Sequence, residues 1–264
     1  MKFSCCIEMI YTDLPFVERI YKAKEAGFDY VEFWNWDNKD IPAIKEAIAK
    51  AGIKLATFQG SMSGVMVDKN DKDLYIADVK KSLELAVELG ASAVFCMSDI
   101  MQEDRSVKPH PYFISPEECK QNSIAVLKEL AHLAEKAGVT LVIEPLNTTV
   151  DHSVYSLCTT EDGVDIIKAV SSPNVKLLYD AYHMQIMEGD IIETIRKNAP
   201  HFGHFHIADV PGRNQPGTGE LNYVNIIKAL KETGYKGIVG FEFEPIGGKD
   251  EPIVAEVLKT LKEI

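Results

Sequence analysis

No run of about twenty apolar residues interrupts this sequence, so no membrane-spanning helix is expected. Cysteine is scarce: five residues, Cys5, Cys6, Cys96, Cys119 and Cys158, with no C-x-x-C pair and two of them adjacent. An odd count in that arrangement excludes a disulfide framework or a cysteine-based zinc knuckle as the organising device. A reduced, cytoplasmic setting is the default expectation. Positive charge is in deficit, with 28 Lys and Arg against 40 Asp and Glu and a net charge of -12. Such a chain repels phosphate backbones unless it carries a local basic face. The only lysine clusters, Lys69 with Lys72 and Lys80 with Lys81, are interleaved with acids, so neither nucleic acid nor a membrane surface is an expected partner. The N-terminal MKFSCCIEMIY is short and broken by Glu8, unlike a signal peptide.

What is present is an alternation. Short apolar runs read as strands at Phe3–Ile7, Tyr30–Phe33, Leu55–Phe58, Ala93–Cys96, Leu141–Glu144, Leu177–Asp180, Gly203–His206 and Ile238–Glu242. Between them apolar residues recur at three and four, predicting helices at Leu14–Ala26, Ile41–Ala51, Tyr75–Leu89, Pro116–Ala137, Glu161–Val170, Ile191–Ala199, Tyr223–Thr233 and Pro252–Leu261. Gly27, Gly52, Gly90, Gly138 and Gly234 fall where these helices end, and glycine suits the left-handed residue that closes a helix. Ser115 before Pro116, and Thr160 before Glu161, read as helix starts. Eight strand–helix units predict a parallel α/β sheet closed into a single-domain (β/α)8 TIM barrel spanning residues 1–264. An open doubly wound sheet would call for G-x-G-x-x-G after the first strand, where the chain reads EMIYTDLP without a glycine. The long irregular stretches 60–72, 98–114, 147–159 and 210–221 all follow strands, on the face where such barrels keep their chemistry.

The late strands end in polar residues. LVIEP delivers Glu144, LLYDAYH Asp180, HFHIAD His206 and GFEFEP Glu242, from four consecutive strands to one rim. Neighbouring strands lie about 4.8 Å apart, so these side chains can converge. Three carboxylates packed together repel and raise one another's pKa, a conflict that a divalent cation removes. A mostly oxygen donor set with one imidazole suits Mn²⁺, Mg²⁺ or Co²⁺ better than structural zinc. The plainer reading of any one of them is a rim residue capping the next helix.

The stretches EPLN, KLLYDAYHMQIMEGD, GHFHIADVPGRNQPGTGELNY and GFEFEP, with AKEAGFDYVEFW near the start, resemble the hydroxypyruvate isomerases. These belong to the xylose isomerase-like barrels, with the ketose 3-epimerases and an apurinic endonuclease family. The resemblance covers nearly the whole chain. It implies that Glu144 and Glu242 are acid/base catalysts as well as metal ligands, and that Asp180 and His206 complete the shell around one divalent metal ion. The sequence departs from the hydroxypyruvate isomerase pattern at His206, where those enzymes usually have Gln and the epimerases have His. It departs again at EFWNWDN and at DHSVY. The implied reaction moves a proton between carbons next to a carbonyl through an enediolate, with the cation taking up negative charge and a glutamate transferring the proton. Epimerisation uses the same parts.

Substrate-binding candidates are His183, by resemblance to the epimerases, Arg213, whose planar guanidinium suits a carboxylate or a loop salt bridge, Trp34 with Trp36 as an aromatic wall, and Gln59. Glu8 and His152 are further rim residues, Glu244 is an alternative ligand to Glu242, and His204 shares the parity of His206 but reads as structural. The glycines of PGTG and the GGK at 247–249 are weak anion-site candidates. The partner is expected to be a small hydroxycarbonyl or sugar, and a homo-oligomer is compatible with the sequence. Against a nuclease stand the charge and the ends of strands three and four, Gln59 and Met97–Ser98, where the related endonucleases place extra histidines. A Schiff-base aldolase needs an inner lysine, but Lys176 starts its strand. A non-catalytic sugar-binding barrel is the remaining alternative.

Overall fold

The computed structural model describes residues 1–102, 104–247 and 250–264. Among the described residues are eight strands: β1 (Lys2–Cys6), β2 (Tyr30–Glu32), β3 (Lys54–Leu55), β4 (Ala93–Cys96), β5 (Thr140–Ile143), β6 (Val175–Asp180), β7 (Phe202–Ile207) and β8 (Ile238–Phe241). Their order is β3-β2-β1-β8-β7-β6-β5-β4, every pair parallel. The two ends meet just beyond β3. Ala93 and Phe95 donate to the carbonyls of Ala56 and Phe58 at 2.9 and 3.0 Å, and Gly60 donates back to Phe95 at 2.7 Å, which closes the barrel. β4, β5 and β8 are almost wholly buried, as strands covered on both faces must be.

The described helices are α1 (Phe16–Glu25), α2 (Ile41–Ala51), α3 (Lys72–Leu89), α4 (Pro116–Ala137), α5 (Thr160–Val170), α6 (Ala181–Met187), α7 (Ile191–Asn198), α8 (Tyr223–Glu232) and α9 (Asp250–Glu263). α4 begins with a reciprocal cap: Ser115 accepts from the Glu118 amide while Glu118 accepts from the Ser115 amide at 3.1 Å. Gly52, Gly90 and Gly138 close α2, α3 and α4 in the left-handed region, at φ of 61°, 67° and 67°.

Three details depart from the sequence expectation. The cap of α5 is Thr159, whose side chain accepts from the Asp162 amide; Thr160 instead donates its hydroxyl to Glu188 at 2.8 Å. β3 is two residues long, although the chain beyond it keeps ladder bonds, Ala56 donating to Val31 at 2.8 Å and Gln59 to Trp34 at 3.1 Å. α6 was not foreseen, since seven residues are too few to show a period. It starts on Asp180, whose Oδ1 accepts from the Tyr182 amide at 2.8 Å.

Candidate active site

The four rim residues are brought together. Asp180 closes β6, Glu144 follows β5 by one residue, Glu242 follows β8 by one, and His206 lies in β7 opposite Asp180. All are buried, and one potential ligand atom from each lies within 4.8 Å of the others. Asp180 satisfies both readings of a strand-end carboxylate. Its Oδ1 caps α6, while its Oδ2 has no hydrogen bond. Glu144 Oε1 and His206 Nδ1 are likewise buried without a hydrogen bond, 3.7 Å apart, and Nδ1 is 3.3 Å from Glu242 Oε2. Buried polar atoms nearly always find a partner, and these three converge on one point where a ligand would satisfy them. Hard oxygens plus one imidazole fit a divalent cation.

Burial sets the electrostatics. It pushes Glu144 up to about 7, helped by Glu242 and Asp180 and resisted by His206. It lifts Asp180 to about 6 against the pull of Arg213 and His206. Glu242 feels the same burial, yet His206, Arg213 and the Trp34 indole hold its carboxyl well below the ordinary range. Burial opposes charge on His206 too, but Glu242 and Glu32 raise its pKa well above 6.5. Two glutamates in one site thus carry opposite shifts, the pattern that lets neighbouring carboxyls take different protonation states.

Glu242 is the hub. Trp34 Nε1 donates to its Oε1 at 2.8 Å, and Arg213 Nη2 donates to its Oε2. Arg213 is also 3.9 Å from Asp180 Oδ2 and lies over the Tyr182 ring at 5.4 Å, so its guanidinium is committed to carboxylates of the site. The loop that aims it is held from within: Asp209 accepts from the amides of Val210, Gly217 and Leu221 at 2.9, 2.8 and 3.0 Å. The Gly217 amide of PGTG is therefore spent on Asp209. Of GGK, Gly248 and Lys249 lie outside the described residues.

A cavity of about 260 Å³ opens onto the cluster, with Glu144, His206, Arg213 and Glu242 at its base and Trp34, Gln59, Met97, Leu146, Arg105 and His152 among its walls. Gln59 lines it while donating to the Ser61 carbonyl at 2.7 Å. His183 is placed elsewhere, fully buried behind Asp180, with Nδ1 2.7 Å from Asn147 Nδ2 and Nε2 3.6 Å from Asp180 Oδ2. Burial and Arg213 hold it well below its ordinary pKa. Trp36 turns away and donates to Ser82 at 2.8 Å. Glu8 pairs with Lys39 at 2.9 Å. Glu244 is exposed and paired with Arg105 at 2.8 Å, so it is not the ligand that parity allowed. The strand has ended at Phe241, and alternation no longer applies.

Sequence reasoning missed Glu32, Arg105 and Asn147. Glu32 lies 2.9 Å from both His204 Nε2 and His206 Nε2, and a signal was available, since a glutamate inside the apolar run YVEF is costly unless paired. Asp151, His152 and His183 form a second close group. There, however, Asp151 Oδ2 already accepts from Asn147 and Tyr182, each at 2.7 Å, and His152 Nδ1 is 3.0 Å from the Arg105 carbonyl.

A family model described as xylose isomerase-like TIM barrel matches residues 20–264. The chain belongs to that family. It is 31% identical over 257 residues to a 2-oxo-tetronate isomerase of Haemophilus influenzae, covering 93% of this chain and 94% of that one. It is 29% identical over 252 residues to hydroxypyruvate isomerase of Escherichia coli, with 93% and 94% covered. A solved structure from Brucella melitensis, described as an AP endonuclease of family 2, superposes with a TM-score of 0.87 at 28% identity over 98% of this chain and 99% of that one.

Proposed function

We propose that this chain is a divalent-metal-dependent isomerase of small hydroxycarbonyl compounds, working through an enediolate on a substrate of the hydroxypyruvate type. The observation that carries this reading is the convergence of Glu144 Oε1, Asp180 Oδ2 and His206 Nδ1, buried and without hydrogen bonds, beside the Glu242 carboxylate. Glu144, Asp180, His206 and Glu242 would hold one Mn²⁺, Mg²⁺ or Co²⁺ ion. When bound, the ion supplies charge stabilisation to neighbouring substrate oxygens.

The residues divide the proton work. Glu242, kept ionised by His206, Arg213 and Trp34, takes the proton from the carbon beside the carbonyl. The proton can return to the neighbouring carbon from Glu242 itself, with Glu144 the second carboxyl of the pair, ionised whenever it holds the ion. Trp34 and Arg213 keep Glu242 aimed, and Trp34, Met97 and Leu146 exclude water from the transfer. Gln59 and Arg105 offer polar contacts nearer the mouth, Arg105 as a cation for a substrate carboxylate. Residues 1–264 act as one catalytic unit, cytoplasmic by the same reading. No helix among the described residues is long and apolar enough to cross a membrane.

A ketose 3-epimerase is the second reading, favoured by histidine at 206 and by the Trp34 wall. The test is turnover of hydroxypyruvate and of a panel of free ketoses with added Mn²⁺, in D₂O. Interconversion of hydroxypyruvate with its aldehyde isomer, lost in Glu144→Gln and in Glu242→Gln, supports the first. Deuterium at C3 of a ketose with inverted configuration supports the second. Cleavage of abasic DNA with neither activity would overturn both.

A further inference from the structure

Glu32 ends β2, and two strands, β1 and β8, separate it from β7 around the barrel wall. Its side chain crosses the interior instead. Oε2 lies 2.9 Å from His204 Nε2 and takes the Ser4 hydroxyl at 2.5 Å, both as hydrogen bonds, while Oε1 lies 2.9 Å from His206 Nε2 as a close contact outside hydrogen-bond alignment. The four residues are sealed from solvent, the most exposed of them at 3%. Burying a carboxylate is costly unless partners surround it, and here a serine and two histidines do. β8 makes room for this contact. Gly240 stands opposite His206 in the ladder, and a Cβ at that position would strike Glu32 Oε1 and come within 2.7 Å of His206 Cδ2.

We propose that Glu32 is a positioning residue that fixes the ring and tautomer of His206 for the metal ion, and that Gly240 is the notch through which it reaches. The inference rests on the metal reading above. A neutral imidazole carries one N–H and one lone pair, and an ionised carboxylate can only accept. With Glu32 Oε1 only 2.9 Å away, a lone pair on Nε2 would be repelled, so the hydrogen is favoured there and the lone pair on Nδ1. Nδ1 is the nitrogen that points at Glu144 and Glu242, 3.7 and 3.3 Å away. A partner that could only donate to Nε2 would put the hydrogen on Nδ1 and turn a donor where the site needs an acceptor. His204 and Ser4, both on Oε2, hold the carboxylate so that Oε1 stays turned to His206. A purely structural Glu32 is the competing account, in which its loss weakens the fold and leaves the ion site as it was.

The test is Mn²⁺ titration by calorimetry on the full-length wild type, Glu32→Gln and Gly240→Ala, with ¹⁵N NMR of His206 in the Mg²⁺-loaded wild type. Outer partners of metal-binding histidines are worth roughly ten- to a hundredfold in metal affinity, and a loss of that order is expected in both variants. The wild-type spectrum should show the proton on Nε2. Variants that bind Mn²⁺ within about threefold of wild type, far from the usual effect, would overturn the proposal, as would a proton on Nδ1. Should Glu32→Gln not fold, Gly240→Ala and the wild-type spectrum decide. A wild type that binds no Mn²⁺ would sink the metal reading and this inference together, whereas tight wild-type binding with unchanged variants sinks this one alone.

Discussion

Metal binding should tighten steeply as pH rises, and the slope can be worked out from the site. Ligand atoms must shed their protons before they coordinate. In the metal-free protein, burial holds a proton on Glu144 up to about 7 and on Asp180 up to about 6. Below the Glu144 value an incoming ion displaces one proton, so apparent affinity falls about tenfold per pH unit, or ~1.4 kcal/mol. Below the Asp180 value a second proton joins and the fall steepens to about a hundredfold per unit. His206, raised by Glu242 and Glu32 against its burial, gives up a proton of its own and can only add to these slopes. The stability of the metal-free fold follows the same linkage. Glu144 and Asp180 have raised folded values, so their contribution is full below the ordinary carboxylate range and is lost as pH climbs to about 7 and about 6. Glu32, drawn down to about 2 by His206 and His204 despite its burial, works the other way, and its contribution is lost as pH falls toward that value. The assay is Mn²⁺ calorimetry at steps from acid to neutral pH, with thermal melts alongside. At a hundredfold excess over Kd the ion should add about 2.7 kcal/mol, or roughly 5–10 °C for a chain of this size. An affinity that is flat across that range, or that tightens on acidification, would refute the reasoning.

Three substitutions probe the neighbours. Arg213→Met removes the cation that pairs Glu242 and Asp180, and breaking a buried pair costs about 3–5 kcal/mol; chemical denaturation should show that loss in the metal-free protein and a smaller one with Mn²⁺. Trp34→Phe keeps the wall but removes the 2.8 Å hydrogen bond to Glu242; at about 1.5–3 kcal/mol for a bond to a charged group, the metal-free protein should melt roughly 3–12 °C lower and kcat/KM should fall. Arg105→Gln should raise KM about tenfold, of the order of one charge-assisted contact, for a carboxylate substrate while leaving a neutral ketose unaffected. An equal change for both substrates would mean that Arg105 only orders its loop.

Much of this site could be read before any coordinates. The barrel was legible because eight apolar runs alternate with helical periods, and because glycines sit where helices must end. The four central side chains were legible because polar residues at the ends of four successive buried strands have no structural reason to recur. Asp180 shows why one residue alone was ambiguous: it caps α6 with one oxygen and faces the cluster with the other. What the sequence hid depends on contacts between distant segments. Glu32 meets His206 across 174 positions of chain, a meeting that only barrel closure brings about. Arg105 escaped notice for a similar cause. Arg213, open in the sequence to a substrate carboxylate or to a salt bridge, pairs with Glu242 in the fold, while Arg105 lines the cavity and pairs with the exposed Glu244. Glu244 misled through parity, which stops where β8 stops.

One ion is expected among Glu144, Asp180, His206 and Glu242. Anomalous diffraction at the manganese edge, from crystals grown with Mn²⁺ near neutral pH, tests this most directly. A single strong peak within coordination distance of all four side chains is the predicted result. A peak at Asp151, His152 and His183, or no peak at all, would contradict it.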